Sequence, residues 1–175
     1  AELNRVYRAD IAVAATPFAF AAMLARADPP ADPRADAAQA HAEWRQWSTP
    51  AARDGVALDL GPCVAAMRER LSGHDVILCN GAGNFAGWWH RYWSYGWPGS
   101  QLAPTCGAMG YGVPAAIAAG LRRPDRTVIA VAGDGDFLMN GQELATAVQH
   151  GADVLVLLVD NGGYGTIRMH QERAY

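Results

Sequence analysis

Apolar residues run along this chain in short blocks punctuated by glycine and proline, and the blocks change character near position 56. Beyond it, Asp75–Cys79, Thr127–Ala132 and Val154–Val159 are apolar runs of strand length. Between and around them, Leu60–Leu71, Pro114–Arg122 and Leu138–His150 read as helices, the first with Val64, Met67 and Leu71 on one stripe. Strands that are apolar throughout must be covered on both faces, and their alternation with helices predicts an α/β fold: a parallel sheet with helices on both faces. Gly-rich turns occupy Asn80–Asn84, Gly107–Gly112, Gly133–Gly135 and Asn161–Gly165, each after a strand or at the opening of a helix. In such a sheet the carboxyl ends of the strands share one edge, where ligands bind, so these turns are expected to build one pocket.

The first 50 residues follow a different pattern. Ile11–Ala14 reads as a short strand, and Pro17–Ala25 as a helix with proline in its first turn. The proline-rich stretch 28–33 continues neither. Ala35–Trp47 is a helix candidate with Ala38, His41, Trp44 and Trp47 at three- and four-residue spacing, ended by Ser48-Thr49-Pro50. A boundary near 48–57 divides the chain into residues 1–50 and 51–175. Trp88, Trp89, Tyr92, Trp93, Tyr95 and Trp97 form an aromatic cluster. It is read as core and subunit interface, with a substrate channel as the alternative.

Composition narrows the function classes. With 175 residues, 51% of them apolar and 18% charged, the chain can bury a core. A net charge of −3 without a basic cluster argues against a nucleic-acid or anionic-membrane surface. No apolar run approaches the ~20 residues that span a bilayer. All 14 basic residues are Arg, which reads as composition bias. Three cysteines without CxxC spacing point to a reducing compartment, hence a cytoplasmic location, and to no metal knuckle. The chain starts at Ala1 and stops at Tyr175, as a fragment of a longer protein would.

The chemistry gathers at Gly133-Asp134-Gly135-Asp136. Glycines expose backbone N–H groups to a ligand, and a helix start favours an anion. Two carboxylates beside phosphate oxygens would repel them unless a divalent cation intervenes, so the turn suits a metal–diphosphate ligand. Asn161 lies 27 residues after Asp134, one helix and one strand on. A hard cation would take Asp134, Asn161 and a backbone carbonyl near Gly163. The rival reading is a dinucleotide site. GxGxxG needs glycine at 138, where Leu138 stands, and Asp160 is 27 residues from Gly133 rather than ~20.

Gly133-Asp134-Gly135 followed by Asp160-Asn161 resembles the thiamine-diphosphate binding motif. Asn140–Ala147 and Gly107–Ala116 resemble adjoining segments of the acetolactate synthase, pyruvate oxidase and benzoylformate decarboxylase group. The likeness covers about residues 56–175, and residues 1–28 resemble the last strand and helix of that family's middle domain. The resemblance implies Mg²⁺ held by Asp134, Asn161 and the Gly163 carbonyl. It implies diphosphate contacts from Gly83, Asn84 and the Gly133 turn, with N–H groups of Gly135, Asp136, Tyr164 and Gly165. It implies a Gly107 carbonyl facing the cofactor's amino group and Met109 wedged beneath a bent cofactor.

By the same resemblance the substrate is a 2-oxo acid, decarboxylated on thiamine diphosphate. The activating glutamate belongs to a pyrimidine-binding domain outside this chain, from the same or a second subunit of a homodimer or homotetramer. No catalytic residue is therefore assigned here, neither Glu143 nor Glu172. Flavin (FAD) use by the full-length protein stays open, as does a non-catalytic relative that only binds the cofactor. Two departures stand out: Asp160 replaces the first Asn of the usual pair, and His170 stands where acetolactate synthases carry a tryptophan that shapes the acceptor pocket.

Overall fold

The computed structural model describes residues 3–28, 33–51, 53–56 and 58–175. They form two compact units, Ala1–Trp44 and Arg45–Tyr175. In the first unit, α1 (Pro17–Leu24) opens on Thr16, whose hydroxyl accepts the Ala19 N–H at 3.2 Å, and Pro17 occupies the first turn. Residues 11–14 are not a strand; Ile11 is 84% exposed. An extended segment needs a partner for its N–H and C=O groups, and none is paired to it among the described residues. The predicted helix at 35–47 forms as α2 (Pro33–Trp47). Most of the proline-rich stretch, 29–32, lies outside the described residues.

The second unit holds four parallel strands, β1 (Val76–Asn80), β2 (Gln101–Leu102), β3 (Thr127–Gly133) and β4 (Leu155–Val159), in the order β2-β1-β3-β4. Residues of β1 alternate between two cores. Ile77 and Cys79, with Val128, Ala130 and Ala132 of β3, pack on α5 (Gly112–Arg122) and α7 (Leu144–His150). Val76 and Leu78, with Ile129 and Val131, pack on α3 (Leu60–Arg70) and α4 (Ala86–Tyr92). Every β1 residue is buried, which is the physical reason for the apolar run Val76–Cys79; Asn80, buried at its end, donates to the Gly81 carbonyl and accepts from Gln101 Nε2. Trp89, Tyr92 and Trp93 belong to the second core, as the core reading of the aromatic cluster expects.

Two elements differ from expectation. The short strand β2 is too brief to show in the pattern. The single helix expected over 138–150 is broken: α6 (Asp134–Asn140) starts directly at the end of β3, a 3₁₀ turn covers Gly141–Glu143, and α7 follows. A Cβ on Gly141 would lie 2.7 Å from the Phe137 ring, so the ring packs directly on the backbone at the break. The last helix is α8 (Gly165–Ala174).

Candidate thiamine-diphosphate site

Strand order places the site. From β1 the chain steps to one side, to β2, then crosses back to β3 on the other side and on to β4. A crevice opens at the carboxyl ends of strands where the winding reverses, here between β1 and β3. A cavity of about 390 Å³ lies at these strand ends. Its walls include Gly83 and Asn84 after β1, Gly107 and Met109 before α5, Gly133, Asp134 and Asp136 at the β3–α6 junction, and Asn161, Gly163, Tyr164 and Gly165 after β4. Of the residues proposed from the sequence, Gly135 alone is not in the wall. It lies just beneath, buried, and a Cβ there would strike the Tyr164 ring and come within 3.7 Å of Met109 Cε.

Ladder register brings the cation candidates together. Gly133 pairs with Val159, so Asp134 is one residue past that pair and Asn161 two. The loop after β4 is folded upon itself. Gly162 N–H donates to Asp160 Oδ1 at 2.8 Å, Gly163 N–H to Asn161 Oδ1 at 3.2 Å, and Gly165 N–H to the Gly163 carbonyl at 2.8 Å. Of the accepting oxygens, Asn161 Oδ1 and the Gly163 carbonyl line the cavity and keep a second lone pair for a cation, whereas Asp160 is outside its wall. The Gly165 N–H, expected to face a diphosphate, is here spent within the loop.

Asp136 differs from the sequence picture. Its side chain is 3% exposed, and Oδ1 accepts N–H groups from Gly110 at 2.8 Å and Ala82 at 3.1 Å. Oδ2 is buried without a hydrogen-bond partner. Burial pushes the carboxyl above its ordinary range, against the pull of the two N–H donors. Only Asp134 is therefore left to meet a cation by carboxylate.

The donor chemistry fits metal-bound diphosphate. The cavity wall contains the Asp134 carboxylate, the amides of Asn84 and Asn161, the hydroxyls of Tyr164 and Thr166 and glycine backbone, and no Arg or His among the described residues. Without basic side chains, a diphosphate here needs a cation as its counter-charge, and these oxygens are hard ligands of the kind Mg²⁺ takes alongside phosphate. Among the described residues no group of three or more His, Cys, Asp or Glu is placed to hold a metal.

Sequence reasoning passed over the apolar wall of Leu60, Phe85, Val159 and Ile167; Trp88, the one member of the aromatic cluster in the wall, is where the channel alternative had a place for it. Phe85 packs where Cβ atoms on both Gly83 and Gly133 would lie, at 2.8 and 2.9 Å. Its place directly after Gly83-Asn84 was the available signal. His170 is exposed on α8.

Residues 81–175 match the family described as thiamine pyrophosphate enzyme, C-terminal TPP binding domain. The chain belongs to this family. That membership sets the dinucleotide reading aside. Acetolactate synthase 1, chloroplastic, of Nicotiana tabacum is 37% identical over 108 residues, which is 61% of this chain and 16% of that protein. The acetolactate synthase large subunit of Corynebacterium glutamicum is 38% identical over 104 residues, 59% of this chain and 17% of that one. The thiamine diphosphate-dependent 4-hydroxybenzoylformate decarboxylase of Rhodococcus jostii RHA1 superposes with a TM-score of 0.62 at 30% identity, over 71% of this chain and 23% of its own. The matched stretch of this TPP-enzyme domain thus spans about a sixth of the curated acetolactate synthases. No helix among the described residues is long and apolar enough to cross a membrane.

Proposed function

We propose that this chain is the diphosphate- and Mg²⁺-binding half of a thiamine-diphosphate-dependent enzyme that decarboxylates 2-oxo acids, most like acetolactate synthase. The observation that carries the reading is the cavity at the β1, β3 and β4 ends, where Asp134, Asn161 and Gly163 converge with glycine turns and no basic side chain. Asp134 and Asn161 hold Mg²⁺ by side chain and Gly163 by its carbonyl. Gly83, Asn84, Gly133, Gly135 and Asp136, with Tyr164 and Gly165, cradle the diphosphate through backbone. For Gly165 this requires exchanging its local N–H bond for a phosphate oxygen. Gly107 orients the aminopyrimidine through its carbonyl, and Met109, beside Gly135, supports the bend.

When bound, thiamine diphosphate supplies an electron sink for loss of CO₂ from a 2-oxo acid. This chain contributes binding, orientation and a water-poor wall of Phe85, Leu60 and Val159. The activating glutamate belongs to a pyrimidine-binding domain of the same or a second subunit, in a homodimer or homotetramer of a cytoplasmic enzyme. Residues 1–50 are read as the end of a middle domain with its linker helix, and 51–175 as the cofactor domain.

The test is calorimetric titration of thiamine diphosphate into the intact protein, with Mg²⁺ and then with EDTA. Saturable binding with Mg²⁺ and none with EDTA is expected. Equal binding in both buffers overturns the metal assignment, and binding in neither overturns the cofactor reading.

A further inference from the structure

Two side chains of α6, Asp136 and Asn140, stand one helical turn apart and hold the same residue. Asp136 Oδ1 accepts the Gly110 N–H at 2.8 Å, and Asn140 Nδ2 donates to the Gly110 carbonyl at 2.8 Å. Gly110 is gripped on both sides of its α-carbon. Its φ is +82°, and a Cβ there would lie 2.7 Å from Asn140 Nδ2, so glycine is required by conformation and by space. Asp136 Oδ1 accepts the Ala82 N–H as well. One buried oxygen thereby joins the turn after β1 to the turn before α5.

The consequence lies in what the held residues adjoin. Met109 is the neighbour of Gly110, and Gly83 is the neighbour of Ala82; both line the cavity. Asp134 stands on the helix that carries the clamp. We propose that Asp136 and Asn140 are positioning residues, which fix the Gly107–Gly110 turn, and through Asp136 also the Gly83–Asn84 turn, relative to Asp134. For its ligand this inference rests on the cofactor reading above; the clamp itself is protein geometry. The two residues differ in reach. Asn140 touches only the Gly110 turn, whereas Asp136 touches both turns. Because a single oxygen accepts both N–H groups, an amide oxygen can replace it.

The test uses the intact protein and the variants Asn140→Ala, Asp136→Ala and Asp136→Asn, with three readouts: amide hydrogen exchange of residues 81–85 and 107–112, the Kd of Mg–thiamine diphosphate, and the Kd of Mg–pyrophosphate. In Asn140→Ala, exchange at 107–112 speeds by about five- to tenfold, the scale of one lost hydrogen bond. Thiamine diphosphate weakens by a similar factor, while pyrophosphate, which lacks the part that meets Gly107 and Met109, binds as before. In Asp136→Ala both turns exchange faster and both ligands weaken, and Asp136→Asn restores all three readouts. Unchanged exchange at 107–112 in Asn140→Ala overturns the clamp, as does equal weakening of both ligands in that variant. Should Asp136→Ala fail to fold, Asn140→Ala and Asp136→Asn still decide. If the unmodified protein binds neither ligand, the cofactor reading falls, and exchange alone judges the clamp.

Discussion

A methyl group on Gly81 would land on the carboxylate of Asp136. Gly81 is the first residue past β1, and its N–H continues the ladder by donating to Val131 O at 3.1 Å. Gly81 and Asp136 thus share one small volume between the two central strands, and the buried Asp136 carboxylate cannot swing aside without giving up the Gly110 and Ala82 N–H groups. Gly81→Ala should destabilise the domain by about 1–3 kcal/mol, the usual range for overpacking. Urea unfolding of Gly81→Ala checks this, and pairing it with Asp136→Ser, which frees the volume, should recover part of the loss.

Asp134→Ala should remove Mg²⁺-dependent binding of thiamine diphosphate without lowering the melting temperature of the ligand-free protein, since no hydrogen bond or ion pair of Asp134 supports the fold in the described residues. Calorimetry with Mg²⁺ gives the first half and a thermal melt the second. Unchanged affinity would sink the cation assignment.

Gly135→Ala places a methyl against the Tyr164 ring. Tyr164 is 59% exposed and able to move, so stability should change little while cofactor affinity falls about tenfold, the scale of one displaced contact. Tyr164→Ala combined with Gly135→Ala should lose less than the sum of the two single changes, measured as a double-mutant cycle of Kd values.

Leu78 is fully buried at the centre of β1, against Val64 and Trp89. Leu78→Ala should cost about 3 kcal/mol, transfer and cavity together, read from the urea midpoint.

Burial pushes the Cys79 thiol up to about 12 from 9.0, and the Tyr95 hydroxyl up to about 12 from 10.0. Between pH 9 and 12 the unfolded chain releases these protons while the folded chain keeps them. Stability is therefore fully present below pH 9 and declines as pH rises through this window. Urea midpoints from pH 8 to 10.5 should fall for the unmodified protein and fall less steeply for Cys79→Ala. At pH 9 a thiol reagent should label the exposed Cys106 and leave Cys79 untouched until unfolding.

The strands β1 and β3 were legible within a residue or so because a strand buried on both faces cannot carry polar residues in its middle; β4 was legible from its apolar run alone, and the expected cover on both faces is not met there, since Leu155 and Leu158 are half exposed among the described residues. Asp134, Asn161 and the glycine turns were legible from their places after apolar runs, whereas Gly83, Asn84, Gly107, Met109, Tyr164 and Gly165 were read from the family resemblance. Ile11–Ala14 misled because an apolar tetrapeptide satisfies the local pattern without a partner strand. The break at Gly141 was hidden because no proline marks it, and the Phe137 ring packed on the backbone there appears only in the folded chain.

Local order along the chain carries the doubly covered α/β sheet, its glycine turns and the pairing of Asp134 with Asn161, since all three follow from periodicity and from one helix and one strand between two residues. The task of Asp136 was settled by folding. Read along the chain it is a second acid beside a diphosphate; in three dimensions its oxygen joins Ala82 and Gly110, residues 54 and 26 positions away. Strand order β2-β1-β3-β4 brings those turns to α6, and strand order is decided by which apolar faces pack, a property of the assembled core rather than of any one segment.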